Sequence, residues 1–511
     1  MHGPTLPTLR GPVTEQEALD ADKDMIHALS YPQSRYDFYV YLETQRRQIE
    51  QVVSEHLGIP RAACSLSQVK EWIHGSYNAC LPVWINQPQG SRRVMIRFPL
   101  PYKVGESHFP GNVEEKLRCE AATYIWLHNK CPSVPIPRLL AFGLPGTQCV
   151  SYGWNIVDRP NQITVHAARS SVILERYGYL IIEYVDDGRM LSESWENYRH
   201  ERIRRANLFR GLSRVQLELR KHPLPYIGSL TVNDSGILEL ANRPLTLLLH
   251  ELENHGIPTG IERHQVYSSV EDYYSDLLAC HDNRMRYQPN SIRDVLDGQG
   301  QLAALVGMRA LRNQFTVRQH DDGPCFLSLT DLHQGNIFVD DQWNIVRIID
   351  LEWACARPSQ MHNVPYWLTS RGIDCLDGEA LQAYRVLFDE FVSACKEVEE
   401  YIPVPGERLS QSLESNWTSG RFWFTQALDC PQALYLIFVD HIQSRHGGLS
   451  DFNDDFDATL AKYWSKDTSE LIAKKVDEHA EYQMNIQRLY IDIRRSDSLS
   501  AVATAPDNES I

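Results

Sequence analysis

The chain changes character near Gly188, and this change constrains its fold more than any other feature of the sequence. Between residues 60 and 185, short apolar runs separated by turn residues predict several strands that carry one helix. After Gly188, apolar residues recur mainly at helical spacing up to about Arg494. The sequence therefore predicts a small sheet followed by a mostly helical part.

We predict four segments along the chain. Residues 1–35 are polar and punctuated by Pro and Gly, which indicates a mobile N-terminal segment. Residues 36–185 combine an amphipathic helix with the strand-rich stretch, and we expect this segment to bind nucleotide. Residues 186–495 are helical, with a pair of strands inside residues 325–353. Residues 496–511 have low complexity, which predicts a disordered tail.

The charge balance argues against one class of partner. Lys and Arg number 50 against 66 Asp and Glu, which gives a net charge of −16 at pH 7. Non-specific nucleic-acid binding needs a basic surface, so we expect no nucleic-acid partner. The acidity favours a cationic or polar ligand, and an acidic run at Asp451, Asp454 and Asp455 is one candidate surface for it. The other interpretation of that run is a solvated surface.

The sequence also argues against membrane anchoring, export and several metal sites. No apolar run approaches the 18 or so residues that span a bilayer, and the N-terminus lacks an apolar signal core. The eleven cysteines include no Cys-x-x-Cys pair, which argues against a disulfide framework or a zinc-thiolate site. His250 and His255 are five residues apart, whereas a zinc-protease helix needs a spacing of four. We expect a cytoplasmic protein.

Residues 329–353 carry the pattern that predicts a chemical activity. Asn336 follows Asp331 by five residues, and Asp350 ends an apolar strand that comes after a turn-forming DDQWN sequence. In phosphoryl transfer one carboxylate orients the attacking hydroxyl and accepts its proton, while an amide oxygen and a second carboxylate hold magnesium against the nucleotide phosphates. The alternative is structural, with the two aspartates capping local elements and the asparagine making a turn hydrogen bond.

This segment resembles the catalytic and metal loops of the aminoglycoside phosphotransferase family, which shares the protein-kinase-like fold with the choline kinases. The resemblance covers about residues 36–365 and is greatest to a large fungal branch of that family. It implies an α+β fold with two lobes, in which a small lobe of five strands sits on a larger helical lobe and ATP lies between them. It also implies that Asp331 is the catalytic base and that Asn336 and Asp350 bind Mg²⁺.

Two further residues of this segment have open roles under the resemblance. His333 lies inside the catalytic loop, where it would either approach the acceptor or serve the loop structurally. Glu352 stands where typical protein kinases have glycine. It would contact a second metal or, as we prefer, form an ordinary paired carboxylate.

A short turn near the start of the strand-rich stretch is the candidate phosphate cradle. Gly75, Ser76, Tyr77 and Asn78 lie between two apolar strand halves and are similar to the Gly-Ser-x-Asn turn of small-molecule kinases. Backbone N–H groups on such a turn can bind phosphate, and the glycine permits the tight geometry. An ordinary hairpin turn is the alternative.

Arg97 occupies the position where kinases of this fold place a lysine that holds the phosphates. It stands on an apolar strand, so its charge needs a partner. Glu120 on the following helix is the best partner by helix phase, with Glu114 and Glu115 as alternatives. Arginine retains the positive charge and adds bidentate reach to phosphate. A surface arginine at a strand end is the competing interpretation.

The adenine site has no side-chain motif, and its location is implied only by its position in the family fold. The family resemblance places it where the strand ending at Glu183 leaves the small lobe, so that backbone groups of Glu183 and Val185 would bind the purine edge. Gly188 would loosen the connection to the helical part.

Two departures from the family pattern keep a second function open. Leu329 replaces a histidine that usually stands two residues before the catalytic aspartate, and Arg97 replaces the lysine. Both are compatible with a catalytically weak or inactive nucleotide-binding protein. A protein Ser/Thr kinase is a third hypothesis, but no Ala-Pro-Glu segment follows Asp350. We therefore expect an ATP- and magnesium-dependent transfer to a hydroxyl of a small molecule.

Overall fold

The computed structural model describes residues 4–88, 90–146, 149–151, 177–317, 324–447 and 454–503. Helices and strands are both present, in agreement with the predicted α+β class, whereas the division into two lobes stays a prediction. The helices are α1 (Glu15–Leu19), α2 (Met25–Thr44), α3 (Arg46–Leu57), α4 (Asn112–Lys130), α5 (Leu191–Tyr198), α6 (Arg202–Arg220), α7 (Leu247–Asn254), α8 (Val270–Tyr287), α9 (Val295–Phe315), α10 (Gly378–Glu399), α11 (Leu409–Ser419), α12 (Arg421–Asp429), α13 (Leu434–Ile437), α14 (Asp454–Ala461) and α15 (Thr468–Ala503).

The strands of the described residues form one large sheet and four smaller ones. They are β1 (Thr5–Thr8), β2 (Gly11–Thr14), β3 (Cys64–Leu66), β4 (Ile73–His74), β5 (Asn78–Gln87), β6 (Gly90–Pro99), β7 (Leu139–Gly143), β8 (Cys149–Ser151), β9 (Tyr179–Glu183), β10 (Arg189–Met190), β11 (Ser229–Val232), β12 (Leu238–Asn242), β13 (Cys325–Leu329), β14 (Ile337–Val339), β15 (Ile345–Ile348) and β16 (Ala354–Pro358).

The large sheet is antiparallel and has the order β3-β5-β6-β9-β7-β8, with β4 also paired to β5. Its centre is the hairpin of β5 and β6, whose register runs from Asn78 opposite Pro99 to Gln87 opposite Gly90. The sheet has seven strands rather than the five we predicted. Two of them, β3 and β4, span only three and two residues, which is too short for an alternating pattern to be visible in the sequence.

The helix α4 confirms the prediction made from its apolar spacing. Leu117, Tyr124 and Ile125 are buried on it and belong to one core cluster with Phe142 of β7 and Leu180 of β9. This packing fixes the helix against the sheet, and Lys116 of the same helix contacts Glu352 in the segment between β15 and β16.

The predicted amphipathic helix near residues 36–57 is present but is longer and interrupted. The structure has two helices, α2 and α3, with Gln45 between them. The C-terminus matches the prediction, because Gly58 adopts a left-handed conformation with φ 64° and its N–H bonds to the carbonyl oxygen of Glu55.

The N-terminal residues that we predicted to be mobile lie in defined elements instead. A hairpin and α1 occupy residues 5–19, and Ala18 and Met25 are buried against aromatic residues of α15. The backbone N–H of Met25 donates to Tyr482 Oη at 2.6 Å, and Tyr490 Oη donates to the carbonyl oxygen of Val13 at 2.9 Å. Local composition could not predict this order, because the partners are more than 450 residues away.

The two C-terminal segments differ in detail from their predicted form. The helical part predicted after Gly188 begins with two helices, α5 and α6, which meet around Arg199. The helix α15 continues to Ala503, so the tail predicted to be disordered begins inside it, and residues 504–511 lie outside the described residues.

The strands of residues 325–358 form two antiparallel pairings. β13 pairs with β16, so that Leu329 lies opposite Ala354 and Cys325 opposite Pro358. β14 pairs with β15 around the predicted turn, in which the Asp340 carboxylate accepts the backbone N–H groups of Gln342 and Asn344, each at 2.9 Å.

Two expectations about chemistry and location can be compared with the described residues. The ten cysteines whose side chains are described are all free thiols. Among the described helices, none combines the length and the apolar character that crossing a bilayer requires.

Candidate functional site

The loop between β13 and β14 is held by three hydrogen bonds near Asp331. Thr330 Oγ1 donates to the carbonyl oxygen of Trp353 at 2.5 Å, which ties the start of the loop to the residue before β16. Trp367 Nε1 donates to the carbonyl oxygen of Leu332 at 2.8 Å. Asn336 Nδ2 donates to the backbone carbonyl oxygen of Asp331 at 2.9 Å and so closes the loop across its own ends. The Asp331 side chain is therefore carried on a fixed backbone.

The carboxyl group of Asp331 lies among other negative charges. Burial, and after it the charges of Glu352, Asp350 and Glu251, together raise the pKa of Asp331 to about 8. A carboxyl group with such a pKa exchanges its proton near neutral pH, which a general base requires. Glu251 of α7 is a member of this group that the sequence analysis missed, because nothing in its local sequence connects α7 to residue 331.

His333 lies beside Asp331 in the same loop. Its Nδ1 accepts the backbone N–H of Gly335 at 3.0 Å, and its Nε2 is 4.0 Å from the Asp331 carboxylate. Burial lowers the pKa of His333, so the ring is neutral near pH 7 and carries its proton on Nε2. The ring orders the loop, and the structure gives no contact that assigns it to an acceptor.

Asn336 and Asp350 come together through the β14–β15 pairing. Ile337 lies opposite Ile348, and the N–H of Ile349 donates to the carbonyl oxygen of Asn336 at 3.0 Å. Asp350 is therefore next to Asn336, although fourteen residues separate them in the sequence. Asp350 has φ 57°, a left-handed conformation that is uncommon for a residue other than glycine and ends β15 abruptly.

The donor atoms of Asn336 and Asp350 fit magnesium. Asn336 is buried, and its Oδ1 accepts no hydrogen bond from the described part of the chain. Magnesium is commonly held by one or two protein oxygens together with substrate phosphates and water. No group of three or more His, Cys, Asp or Glu suited to a metal occurs among the described residues. Asn336 and Asp350 therefore suit a magnesium ion that is also bound by nucleotide phosphates better than an ion whose ligands all come from the protein.

Arg97 on β6 is the cation nearest this site. It is 3% exposed, and its guanidinium donates to Glu120 at 2.5 Å and also to Asp350. Glu352 lies 3.4 Å away as a third carboxylate partner. Arg97 is thus a buried, paired cation and not a surface arginine, and its partner on α4 is the one that helix phase favours.

The two other glutamates considered as partners of Arg97 bind elsewhere. Glu114 pairs with Arg118 at 2.7 Å on the same helix. Glu115 pairs at 2.8 Å with Arg243, the residue that follows β12. Neither is available to Arg97.

Lys116 is a second buried cation, which the sequence analysis missed. It is fully buried, and its Nζ donates to Glu352 at 2.7 Å and to Asn78 Oδ1 at 2.8 Å. Asn78 Nδ2 in turn donates to the same Glu352 carboxylate at 2.5 Å. A signal was present, since Lys116 precedes Glu120 by one helical turn and so shares its face of α4.

The site carries more negative than positive charge. Burial raises the pKa of Glu120 and of Asp350, and the charges of Glu352 and its neighbours add to the effect, while Arg97 and Lys116 oppose it. A bound cation would remove this surplus. The ionisable members are the cations Arg97 and Lys116 and the carboxyl groups of Glu120, Asp331, Asp350 and Glu352.

The candidate phosphate cradle is a closed turn between β4 and β5. The N–H of Gly75 donates to the carbonyl oxygen of Asn78 at 2.9 Å, and Ser76 is exposed. Tyr77 packs its ring against Trp353 at 5.3 Å and donates to Glu251 at 3.3 Å. The Asn78 side chain is used by the buried ion network, and the Gly75 N–H is used by the turn itself. Phosphate binding would therefore fall to the rest of the turn backbone, and that role stays a prediction.

The predicted adenine position lies at the end of β9. The N–H of Glu183 donates to the carbonyl oxygen of Arg138 at 2.9 Å, and Val185 follows two residues later. Gly188 has φ 78°, and a Cβ there would meet the carbonyl oxygen of Val339 at 2.9 Å, so glycine is required. Adenine binding at these backbone groups stays a prediction.

Comparison with known proteins gives little beyond this geometry. No protein-family model and no curated protein matches the sequence. Among solved structures the chain is similar to a "Macrolide 2'-phosphotransferase type I", a phosphotransferase, at 12% identity and a TM-score of 0.25, over 79% of this chain and 93% of that chain. A likeness of this size decides neither fold nor function, so the resemblance to a family rests on the motifs alone.

Replacing Lys116 with Met should strongly destabilise the protein. Glu352 would keep only Asn78 and the more distant Arg97, and an incompletely paired buried carboxylate costs about 3 kcal/mol or more in the free energy of unfolding. The double variant Lys116→Met/Glu352→Gln should recover much of this loss, because the buried charge is gone. Urea denaturation measures both, with exposed Lys130→Met as the control. Equal stability of Lys116→Met and wild type would contradict the ion network.

The raised pKa of Asp331 should appear in the pH dependence of stability. Between the ordinary value of 3.8 and about 8, the folded protein holds a proton that the unfolded chain has released. Protonation of Asp331 therefore favours folding at low pH, and this advantage is lost as pH rises through about 8. Asp331→Asn lacks this pH dependence. The free energy of unfolding of the variant should therefore rise relative to that of wild type between pH 5 and 8, and the difference should stay constant above pH 8. Magnesium-free urea denaturation between pH 5 and 9 measures this, and parallel curves would contradict the assignment.

Proposed function

We propose that this protein is an ATP- and magnesium-dependent phosphotransferase that moves the γ-phosphate to a hydroxyl of a small molecule. The observation that carries the proposal is the convergence of Asp331, Asn336 and Asp350 at one junction, beside the buried pair of Arg97 and Glu120. A base, two oxygen ligands and a phosphate-binding cation are the parts that phosphoryl transfer requires.

Asp331 would act on the acceptor. Its backbone is fixed by Asn336, so its carboxylate can orient a hydroxyl and accept the proton as the oxygen attacks phosphorus. The pKa of about 8 suits this task near neutral pH. His333 would keep the loop in shape through its bond to Gly335.

Asn336 and Asp350 would hold the magnesium ion through Oδ1 and a carboxylate oxygen. Bound there, the ion would neutralise charge on the nucleotide phosphates. Arg97 would face the same phosphates from β6, with Glu120 fixing the guanidinium from α4. The backbone N–H of Ser76 would bind a phosphate oxygen, and the backbone of Glu183 and Val185 would bind adenine.

We infer a cationic or polar acceptor from the charge around Asp331. The net charge of −16 and the nearby carboxylates Glu251 and Glu352 favour a positively charged molecule. The acidic run considered from the sequence adds little support, since Asp451 lies outside the described residues, as does the side chain of Asp454.

One observation favours the alternative of a nucleotide-binding protein with weak or no activity. Arg97 contacts Asp350 directly, and this ion pair occupies part of the carboxylate that would hold the metal. A metal ion must compete with the guanidinium for these oxygens. If the ion pair persists, nucleotide would bind without magnesium and transfer would be slow.

Asp331→Asn should reduce turnover by about 10²–10⁴-fold while leaving ATP affinity unchanged, because it removes the proton acceptor but keeps the side-chain shape. Turnover is measured as ADP release with magnesium and a panel of hydroxyl-bearing metabolites. The control is Asp341→Asn, an 85% exposed carboxylate in the β14–β15 turn, which should keep full activity. Equal rates for wild type and Asp331→Asn would exclude Asp331 as the base.

Asp350→Ala should abolish the magnesium dependence of ATP binding. Wild-type protein should bind ATP more tightly with magnesium than with EDTA, whereas the variant should show the same affinity in both. Isothermal titration measures this difference, and Asp341→Ala serves as the matched control. A wild-type affinity that is indifferent to magnesium would reject the metal assignment and favour the inactive nucleotide-binding protein.

A further inference from the structure

A cavity of about 190 Å³ lies away from the candidate functional site, at the other end of the β13–β16 pairing. Leu329 and Ala354 form the end of this pairing next to Asp331, while Cys325 and Pro358 form the other end. Phe326 and Pro358 line the cavity. Five residue pairs span about 13 Å, so the cavity is separate from the candidate functional site and its role is independent of the proposed function.

Arg220, at the end of α6, is buried in the wall of this cavity. It is 2% exposed, and its guanidinium lies 4.6 Å from the centre of the Phe326 ring. Its Nη2 donates to Ser359 Oγ at 3.1 Å and more weakly to the carbonyl oxygen of Glu407 at 3.4 Å. Its Nε and Nη1 are buried without any hydrogen-bond partner among the described residues. Unmade hydrogen bonds on a buried cation are costly, and they point to a missing acceptor.

Arg421, the first residue of α12, is a second buried arginine in the same wall. Its Nε donates to the carbonyl oxygen of Phe315 at 3.0 Å, and its Nη1 donates to Asn416 Oδ1 at 2.7 Å. In the part of the chain that the structure describes, neither Arg220 nor Arg421 forms an ion pair with a carboxylate. Burial lowers the pKa of both guanidinium groups, because nearby negative charge does not offset their loss of hydration.

The other polar groups of the wall leave a positive balance. Glu407 contributes one carboxylate, which accepts a hydrogen bond from Ser412 Oγ at 2.6 Å. Among the lining residues that the structure describes, one negative charge against two guanidinium groups leaves a net charge of about +1. Gln360 adds a further donor, since its Nε2 is buried without a partner among the described residues while its Oε1 accepts the N–H of Val317.

We propose that this cavity binds a small oxyanion, a phosphate or carboxylate group held by Arg220 and Arg421. Paired guanidinium groups match the oxygens of such anions in a bidentate manner. The volume is below the 300 Å³ or so of pockets for drug-sized molecules, so a group of a few heavy atoms fits. Exposed Ser415 and Gly406 lie at its solvent side, where an anion can enter.

Thermal unfolding in the absence of nucleotide and magnesium tests the proposal. Inorganic phosphate and acetate are titrated separately, with chloride holding the ionic strength constant, and binding appears as a saturable rise in the midpoint. Arg220→Met should weaken the binding by about a hundredfold or more, because it removes the unpaired donors. Arg284→Met is the matched control, since Arg284 is also buried and has no ion pair among the described residues but does not line this cavity.

A second pair of variants avoids any change in the core. Ser415→Asp places a negative charge at the opening and should weaken anion affinity about tenfold, whereas Ser415→Asn, of similar size, should leave it unchanged. If Arg220→Met does not fold, the comparison of the two Ser415 variants still tests whether the anion binds in this cavity. Stabilisation by phosphate alone assigns a phosphate group, and stabilisation by acetate alone assigns a carboxylate. No saturable rise with either anion, or equal affinity in the two Ser415 variants, would overturn the proposal.

Discussion

The candidate functional site depends on a buried network of ions centred on Arg97 and Lys116. Arg97 comes from the large sheet, Lys116 and Glu120 come from α4, and Asp350 and Glu352 come from the segment between β15 and β16. Each buried ion costs several kcal/mol unless its partners are in place. The sheet, the helix and the segment that carries the candidate metal ligands are therefore bound to one another by charge as well as by apolar packing.

The pairing of charges, and not the net charge of the chain, sets the character of each polar site. Around Asp331, burial and the neighbouring carboxylates raise the pKa of Asp331, and the excess of carboxylates over cations suits a site for a metal ion and a cationic acceptor. At the other end of β13–β16, Arg220 and Arg421 lack carboxylate partners among the described residues, and that cavity suits an anion. Two sites of opposite character thus lie on one short pair of strands in a chain with a net charge of −16.

Features that depend on residues close in sequence could be predicted from the sequence. The β14–β15 turn follows from Asp340, whose carboxylate bonds to the backbone of residues two and four positions later. Gly58 ends α3 because a left-handed residue is needed there. The apolar spacing of α4 also placed Glu120 on the face that meets Arg97, since helix phase is a local property. The element types and the pairing of Arg97 with Glu120 follow from such short-range rules.

The sequence by itself determined which segments are helices or strands and which charged residues stand on them, whereas the tertiary structure decided which charges meet. Lys116 and Glu352 are 236 residues apart, and Met25 and Tyr482 are 457 residues apart, so no local pattern connects either pair. The Lys116 contact made Asn78 part of a buried network instead of a free phosphate ligand, and the Tyr482 contact ordered a polar N-terminus. The physical reason is that burial and partners set both the cost of a charge and its pKa, and these exist only after distant segments have packed together.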